Sequence, residues 1–286
     1  MRSVRYFFEY ILIITLFISF KLLGYKIASE LGCLLGKTFG PFFRSKKVIK
    51  GNLIKFDNSL TQEKIEIISK EMWGNYGRIL SEYPFISNFR KGNLKKYIKV
   101  ENIEKLEEIK KGPPVVFVSA HFSNFELMAM AIEKAGVKLS AIYRPLNNKM
   151  VNSIMEPLRK KYICKNQIKK GIGGLKKLIS LKKNNYSTAL MIDQRVSEGI
   201  MSNFFNKKAL TTTIPSQLIK KFNIPIVPVY IERIEDINFK IIINEPIIFS
   251  NESSTQNITD ELNKILENMI LKKPEYWIWS HNRWKN

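Results

Sequence analysis

With 286 residues, 45% of them apolar and 12% aromatic, the chain carries enough hydrophobic material for a sizeable core, which excludes a disordered protein. Forty-seven Lys and Arg against 25 Asp and Glu leave a net charge of +22, which favours polyanionic partners: nucleic acid, anionic lipid or an acidic protein. Charge alone does not choose among them, because a Lys-, Ile- and Asn-rich composition also follows from AT-rich coding.

The chain opens on an apolar segment, Phe7 to Leu23, uncharged from Tyr10 to Phe20 and edged by Arg2, Arg5, Glu9, Lys21 and Lys26. It reaches the roughly 20 residues of a spanning helix only by including Glu9 and Lys21, so residues 1–26 read as a tilted anchor or an interfacial helix. The following KLLGYKIASELG has no small-x-small cleavage site, which argues against a removable secretion signal. Should the segment span, Lys21, Lys26, Lys37, Arg44, Lys46, Lys47 and Lys50 outweigh Arg2 and Arg5 and hold the remaining body, residues 27–286, in the cytoplasm. The competing reading is a buried helix at the start of a soluble domain.

Residues 27–50 continue in helical pattern and end in the basic FFRSKKVIK, suited to lying against anionic headgroups. Thr61 to Phe85 reads as an amphipathic helix capped by Thr61, with Ile65, Ile68, Met72, Tyr76 and Ile79 on one face and Pro84 at its end. From there strands and helices alternate. Ile103–Lys111 is a helix broken by Gly112-Pro113-Pro114, 115–120 is a buried strand, and 121–135 is a helix. Leu139–Tyr143 is a strand, and two helices follow at Lys149–Lys161 and Gly174–Lys183. Ser187–Asp193 is a strand, Thr213–Phe222 a helix, and Ile226–Ile231 and Phe239–Ile243 are strands. A last helix, Asp260–Leu271, is capped by Thr259. The alternation predicts an α/β fold with a mainly parallel central sheet flanked by helices and preceded by the hydrophobic, membrane-associated helix. No repeat, low-complexity tract or interdomain linker interrupts it.

Chemistry concentrates in Ser119-Ala120-His121-Phe122-Ser123-Asn124-Phe125-Glu126, between a predicted strand and a predicted helix. Open α/β sheets place ligand chemistry at the carboxyl ends of their strands. A His there serves as general base when a carboxylate fixes its tautomer, and Glu126 is the nearest acid in sequence. Five residues of ideal helix would separate the two side chains by about 140°, so His121 must precede the helix proper for the pair to meet. Free N–H groups at the helix start are available to a developing oxyanion. Cys33 and Cys164 show no metal-ligand spacing and read as small core hydrophobes, and no metal or organic cofactor is implied.

HFSNFE matches the H-x4-D/E box of glycerolipid acyltransferases, and the chain resembles the lauroyl/myristoyl transferases of lipid A biosynthesis. The resemblance extends over Gly51-Asn52-Leu53, Tyr143-Arg144-Pro145, Gly171 to Leu178, Asp193-Gln194, Asn203 to Thr212 (NFFNKKALTT), Ile224-Pro225-Ile226-Val227-Pro228 and the tail PEYWIWSHNRWK. It implies an acyltransferase domain over 27–286, with the body on the cytoplasmic face of a bacterial inner membrane. The implied reaction needs no covalent enzyme intermediate. His121 deprotonates the 3-hydroxyl of an acyl chain on a lipid A precursor, Glu126 orients His121, and the alkoxide attacks the thioester of an acyl carrier protein. It also implies substrate contacts from Asn124, Arg144, Asp193, Gln194, Arg195 and Arg283. For Asp193-Gln194 a loop-ordering role competes, and Arg195-Val196-Ser197-Glu198-Gly199 stands where the family commonly has a Gly-rich segment. His281 and Arg283 read as part of a packed terminal turn or strand, not as a second catalytic His and its neighbour. Other glycolipids or glycerophospholipids are the alternative acceptors. A membrane-tethered nucleic-acid-binding protein is the alternative of another class, disfavoured because no nucleic-acid module is present and the Lys residues are dispersed.

Overall fold

The computed structural model describes residues 2–285. Its first third is helical: α1 (Arg2–Leu23), α2 (Tyr25–Phe39), α3 (Lys46–Phe56), α4 (Gln62–Glu82) and the short α5 (Ile86–Lys91). Thr61 caps α4 as expected, its hydroxyl accepting from the Lys64 N–H, and a 3-10 turn at Tyr83–Phe85 carries Pro84 at the helix end. Strands and helices then alternate: β1 (Ile98–Glu101), α6 (Glu104–Lys111), β2 (Val116–Ser119), α7 (Glu126–Lys134), β3 (Leu139–Tyr143), α8 (Lys149–Tyr162), β4 (Asn166–Lys169), α9 (Ile172–Lys183) and β5 (Ser187–Met191). The chain closes with β6 (Ile200–Phe204), β7 (Lys207–Thr211), α10 (Ile214–Phe222), β8 (Ile226–Ile234), β9 (Asn238–Ile243) and α11 (Thr255–Lys272).

Among the described residues, seven strands form one sheet in the order β1-β9-β8-β2-β5-β3-β4. Strands β8, β2, β5, β3 and β4 run parallel, while β9 returns antiparallel to β8 and takes β1 with it. The predicted mainly parallel sheet flanked by helices is the observed one. Central β2 is buried on both faces (Val116, Phe117, Val118), which explains its uninterrupted apolar run. The sequence reading did not include β1, β4 or the β6–β7 hairpin, and it began α11 five residues late. Ser254 is the true cap, its hydroxyl accepting from the Asn257 N–H at 3.0 Å, whereas Thr259 sits inside the helix and donates to the Thr255 carbonyl.

Helix α1 lies along the body. Tyr10, Ile13 and Phe17 pack on Ile79, Tyr83, Val151 and Met155, and Phe20 joins the main core. Asn148 Nδ2 donates to the Tyr6 carbonyl (2.9 Å) and to Glu9 (3.0 Å), while Lys21 donates to the Pro84 carbonyl (2.9 Å) and to Asn88 (2.6 Å). Its other face exposes Phe7, Phe8, Ile11, Leu12, Ile18 and Leu22. By length and composition Ser3–Leu23 could cross a bilayer, but only 11% of that apolar window is buried, so the helix is not the core element of a soluble domain.

Helices α2 and α4 cross at close range. Gly32 and Gly36 of α2 meet Gly77 of α4, where an added Cβ on Gly77 would run into the Gly32 carbonyl and the Gly36 Cα. Gly77→Ala is therefore expected to cost roughly 1–3 kcal/mol through overpacking. Gly51→Ala, within α3 and with nothing inside 4 Å of its Cβ, is expected to stabilise by up to about 1 kcal/mol through helix propensity. Denaturant unfolding of the two variants measures both. A Gly77→Ala protein as stable as wild type would mean that the helices separate without cost.

Candidate active site

Strands β2 and β5 are adjacent and parallel, with Ser119 paired to Met191. Two residues past that pair, at the carboxyl rim, stand His121 and Asp193, so the sheet register brings them level. Nδ1 of His121 lies 2.8 Å from Asp193 Oδ1, and the His121 backbone N–H donates to Asp193 Oδ2 at 3.1 Å. Trp277 of the tail donates its indole N–H to the same Oδ2 at 2.8 Å. Asp193 is fully buried and the His121 side chain is 22% exposed. An ionised carboxylate only accepts, so the Nδ1 proton faces Asp193 and Nε2 carries the free lone pair. Burial alone would lower the His121 pKa. The charge and hydrogen bond of Asp193 outweigh it, Glu126 adds to them, and the net shift is upward. Burial alone would raise Asp193; His121 and its other donors overcome this and hold the carboxyl below its usual range.

Helix α7 starts only at Glu126, so His121 precedes it, as the spacing argument requires. The two ends of the H-x4-E box nevertheless have separate partners. Glu126 accepts from Arg159 Nε at 2.7 Å and Nη2 at 2.6 Å, and from the Tyr83 hydroxyl. The expectation that Glu126 orients His121 is corrected: Asp193 holds the ring, and Glu126 acts on it through charge alone. The physical reason is the irregular turn from 121 to 125, which spends five residues before α7 begins and leaves the carboxylate facing the Tyr83 turn and α8. The expected oxyanion donors are also narrowed, because the N–H groups of His121, Phe122 and Ser123 are engaged with Asp193, the Ala120 carbonyl and the Tyr276 carbonyl.

The turn is held from beneath. Ser123 takes φ +41°, a left-handed conformation that costs energy for a non-glycine residue and persists only where neighbours impose it. Asn124, fully buried, donates to Glu82 Oε2 at 3.0 Å. Glu82 is paired with Arg233 through contacts of 2.6 and 3.1 Å and accepts from Ser29 at 3.0 Å, and Asn75 accepts from Arg233 Nε at 3.1 Å. Neither charged side chain is exposed.

These positions revise several expected substrate contacts. Asp193 is buried beneath His121 and positions it. Asn124 is buried against Glu82. Arg283 is buried, donating to the Leu210 carbonyl (2.7 Å) and Thr211 (2.6 Å) over the Phe204 ring, which makes it a bracket for the β6–β7 hairpin. Arg195 is tied to the tail through Lys285 and His281, although it remains half-exposed. Arg144, just past β3, is exposed and donates to Asn147 (3.2 Å), and Gln194 is half-buried beside the His121–Asp193 pair. His281 accepts from the Arg195 N–H, and burial pushes its pKa down to about 4, consistent with a packed role. The sequence reading did not single out Arg159, Tyr83, Glu82 or Arg233, whose pairings depend on tertiary structure. Among the described residues no group of His, Cys, Asp and Glu is arranged to hold a metal ion.

With Nδ1 held by Asp193, the other ring nitrogen of His121 is left at the sheet rim. Together with the H-x4-E box on this α/β sheet, that geometry fits an acyltransferase. The chain belongs to the bacterial lipid A biosynthesis acyltransferase family, whose model matches residues 1–286, and is an acyl-transferring enzyme of lipid A biosynthesis. It is 22% identical over 269 residues to the lipid A biosynthesis palmitoleoyltransferase of Escherichia coli (strain K12) and to the lipid A biosynthesis acyltransferase of Shigella flexneri, covering 92% of this chain and 86% of each relative. Among solved structures it is similar to the 1-acyl-sn-glycerophosphate (LPA) acyltransferase PlsC of Thermotoga maritima, with TM-score 0.42 and 15% identity, over 89% of this chain and 100% of that one.

Proposed function

We propose that the enzyme transfers a fatty acyl chain from an acyl carrier protein thioester to the 3-hydroxyl of an acyl chain on a lipid A precursor, with His121 as general base. The observation that carries this reading is the buried Asp193 carboxylate on Nδ1, which leaves Nε2 free to accept a proton. Nε2 takes the acceptor's hydroxyl proton as its oxygen bonds to the thioester carbonyl carbon. The resulting oxyanion collapses, the C–S bond breaks, and the imidazolium returns the proton to the leaving thiolate. Asp193 stabilises the imidazolium between these steps, as a carboxylate does in other base-assisted acyl transfers. Leu127 and Met128 already donate to the Asn124 and Phe125 carbonyls, so an oxyanion donor falls to the amides between Ser123 and Leu127. Arg144 and Gln194, at the same rim, are the sequence-predicted contacts that remain placed to meet the acceptor's anionic and polar groups.

The membrane association is read from α1: one face is packed on the body along its length and the other is apolar and exposed, which suits a helix lying in the interface of the bacterial inner membrane. A cytoplasmic carrier protein and the Lys- and Arg-rich body then share one side. The test is acyl transfer from radiolabelled acyl carrier protein thioesters, palmitoleoyl included, to a tetra-acylated lipid A precursor in detergent. His121→Ala is expected to lose about 10²–10⁴-fold or more while still folding. Wild-type enzyme that ignores this acceptor but acylates a glycerol phosphate would keep the chemistry and overturn the substrate.

A further inference from the structure

At the end of α2 the chain makes a 3-10 turn, Gly40–Phe42, seated on Trp73: a Cβ at Gly40 would land in the Trp73 ring. The turn is thereby fixed to α4, and it presents Phe42 and Phe43 outward at 85% and 80% exposure, with Phe39 beside them at 53%. Isolated exposed hydrophobics are ordinary. Three aromatics within five residues, followed at once by exposed Arg44, Ser45, Lys46 and Lys47, are not. Among the described residues none of these three cations has an acidic partner, whereas Lys37 nearby is paired with Glu71. Exposed aromatics with unpaired cations next to them are the signature of a surface that enters an anionic membrane interface.

Behind Phe43 opens a groove of about 350 Å³, walled by Phe43, Arg44, Trp73 and Ile278 and reaching Ser280 and His281. His281, in its lining, accepts from the Arg195 N–H two residues past Asp193, so the groove reaches from the aromatic turn to the neighbourhood of the His121–Asp193 pair. Burial keeps His281 uncharged near neutral pH, and its Nε2 is already occupied by the Arg195 N–H, so past Arg44 the lining carries no further charge.

We propose that this groove receives an acyl chain of the acceptor lipid directly from an anionic leaflet, with Phe42 and Phe43 inserted among the lipid chains and Arg44, Lys46 and Lys47 on the phosphates. The proposal rests on the acyl-transfer reading above, since it places the acceptor's hydroxylated chain where His121 can reach it. It also adds a second membrane contact, separate in sequence from α1 and adjacent to the site.

The test uses the full-length protein with Phe43→Trp as reporter and phosphatidylethanolamine vesicles made with or without phosphatidylglycerol. Vesicles containing phosphatidylglycerol should shift the new emission to the blue, and brominated acyl chains should quench it. Arg44→Glu/Lys46→Glu/Lys47→Glu should weaken vesicle binding by at least about tenfold, given the roughly 1 kcal/mol per cation that such surfaces supply. Phe42→Ser, exposed and outside the groove's lining, should raise KM for vesicle-borne acceptor severalfold at unchanged kcat. An emission unaffected by either vesicle overturns the proposal. So does an Arg44-dependent complex with soluble acyl carrier protein in place of the vesicle response, which would assign the patch to the donor. Because vesicle binding needs no turnover, quenching that persists in a protein inactive on lipid A precursors would discard the substrate and keep the surface.

Discussion

Asp193→Asn is expected to lower kcat by about 10²–10⁴-fold while the protein stays folded, an effect comparable to losing the base itself. The carboxylate does two things an amide cannot. It holds the Nδ1 proton in place so that Nε2 faces the acceptor, and it stabilises the imidazolium formed during transfer. The pH dependence separates these effects from simple misfolding. His121 must be neutral to act as base, so kcat/KM should climb as pH rises through its pKa and level off above it. In the wild type that rise lies above the usual imidazole range, because the Asp193 charge and hydrogen bond overcome the lowering by burial. Removing the charge leaves burial dominant, so in Asp193→Asn the rise should move to lower pH even as the plateau falls. Glu126→Gln should move the rise less, since Glu126 acts on the ring only through charge, and its main loss is the Arg159 and Tyr83 contacts. If Glu126→Gln displaces the profile more than Asp193→Asn, the assignment of Asp193 as the partner of His121 is wrong.

Much of the frame behind this prediction was legible in the sequence. The strands read at 115–120 and Ser187–Asp193 and the helices between them follow from periodicity, and the structure ends those two strands one and two residues earlier, at Ser119 and Met191. Which carboxylate meets His121 was not legible, because the answer lies in the pairing of Ser119 with Met191, a nonlocal register that spacing along the chain cannot supply. Sequence proximity favoured Glu126, five residues away, over Asp193, 72 residues away. The same limitation explains Arg283. Its place in the HNRWK tail suggested a substrate contact, but the hairpin it brackets was not foreseen. That hairpin turns on Phe205 and Asn206, both left-handed at φ +50° and +56°, and Phe gives no signal for such a turn where Gly would have. The tail and NFFNKKALTT, two separate stretches of the resemblance, prove to be one packed unit: Trp284 donates to the Phe204 carbonyl at 3.1 Å and Arg283 to Leu210 and Thr211.

The largest expected loss of stability comes from the fully buried ion pair beneath the catalytic turn. Breaking it by Arg233→Met or by Glu82→Gln alone should each cost about 3–5 kcal/mol, because the charge left behind has no water to return to. Arg233 has three further interactions, with Asn75, the Asp236 carbonyl and the face of Phe239, so its guanidinium cannot swing out to solvent without undoing them. Replacing both residues, Glu82→Gln with Arg233→Met, removes the stranded charge and should recover most of that loss, so the double-mutant cycle should show strong coupling. Activity should follow a different pattern. The Glu82→Gln substitution keeps a side-chain carbonyl oxygen for the Asn124 amide, so the turn that carries His121 retains its anchor in the double variant and kcat should stay close to wild type. Asn124→Ala removes the anchor and frees the left-handed Ser123 to relax. It should depress kcat more than KM, at a smaller cost in stability than either single charge substitution. Denaturant unfolding and steady-state acyl transfer on these four proteins separate the two roles of the network. Single variants as stable as wild type would show that the pair is dispensable to the fold. A double variant as inactive as Asn124→Ala would show that the turn is held by charge and not by the hydrogen bond alone.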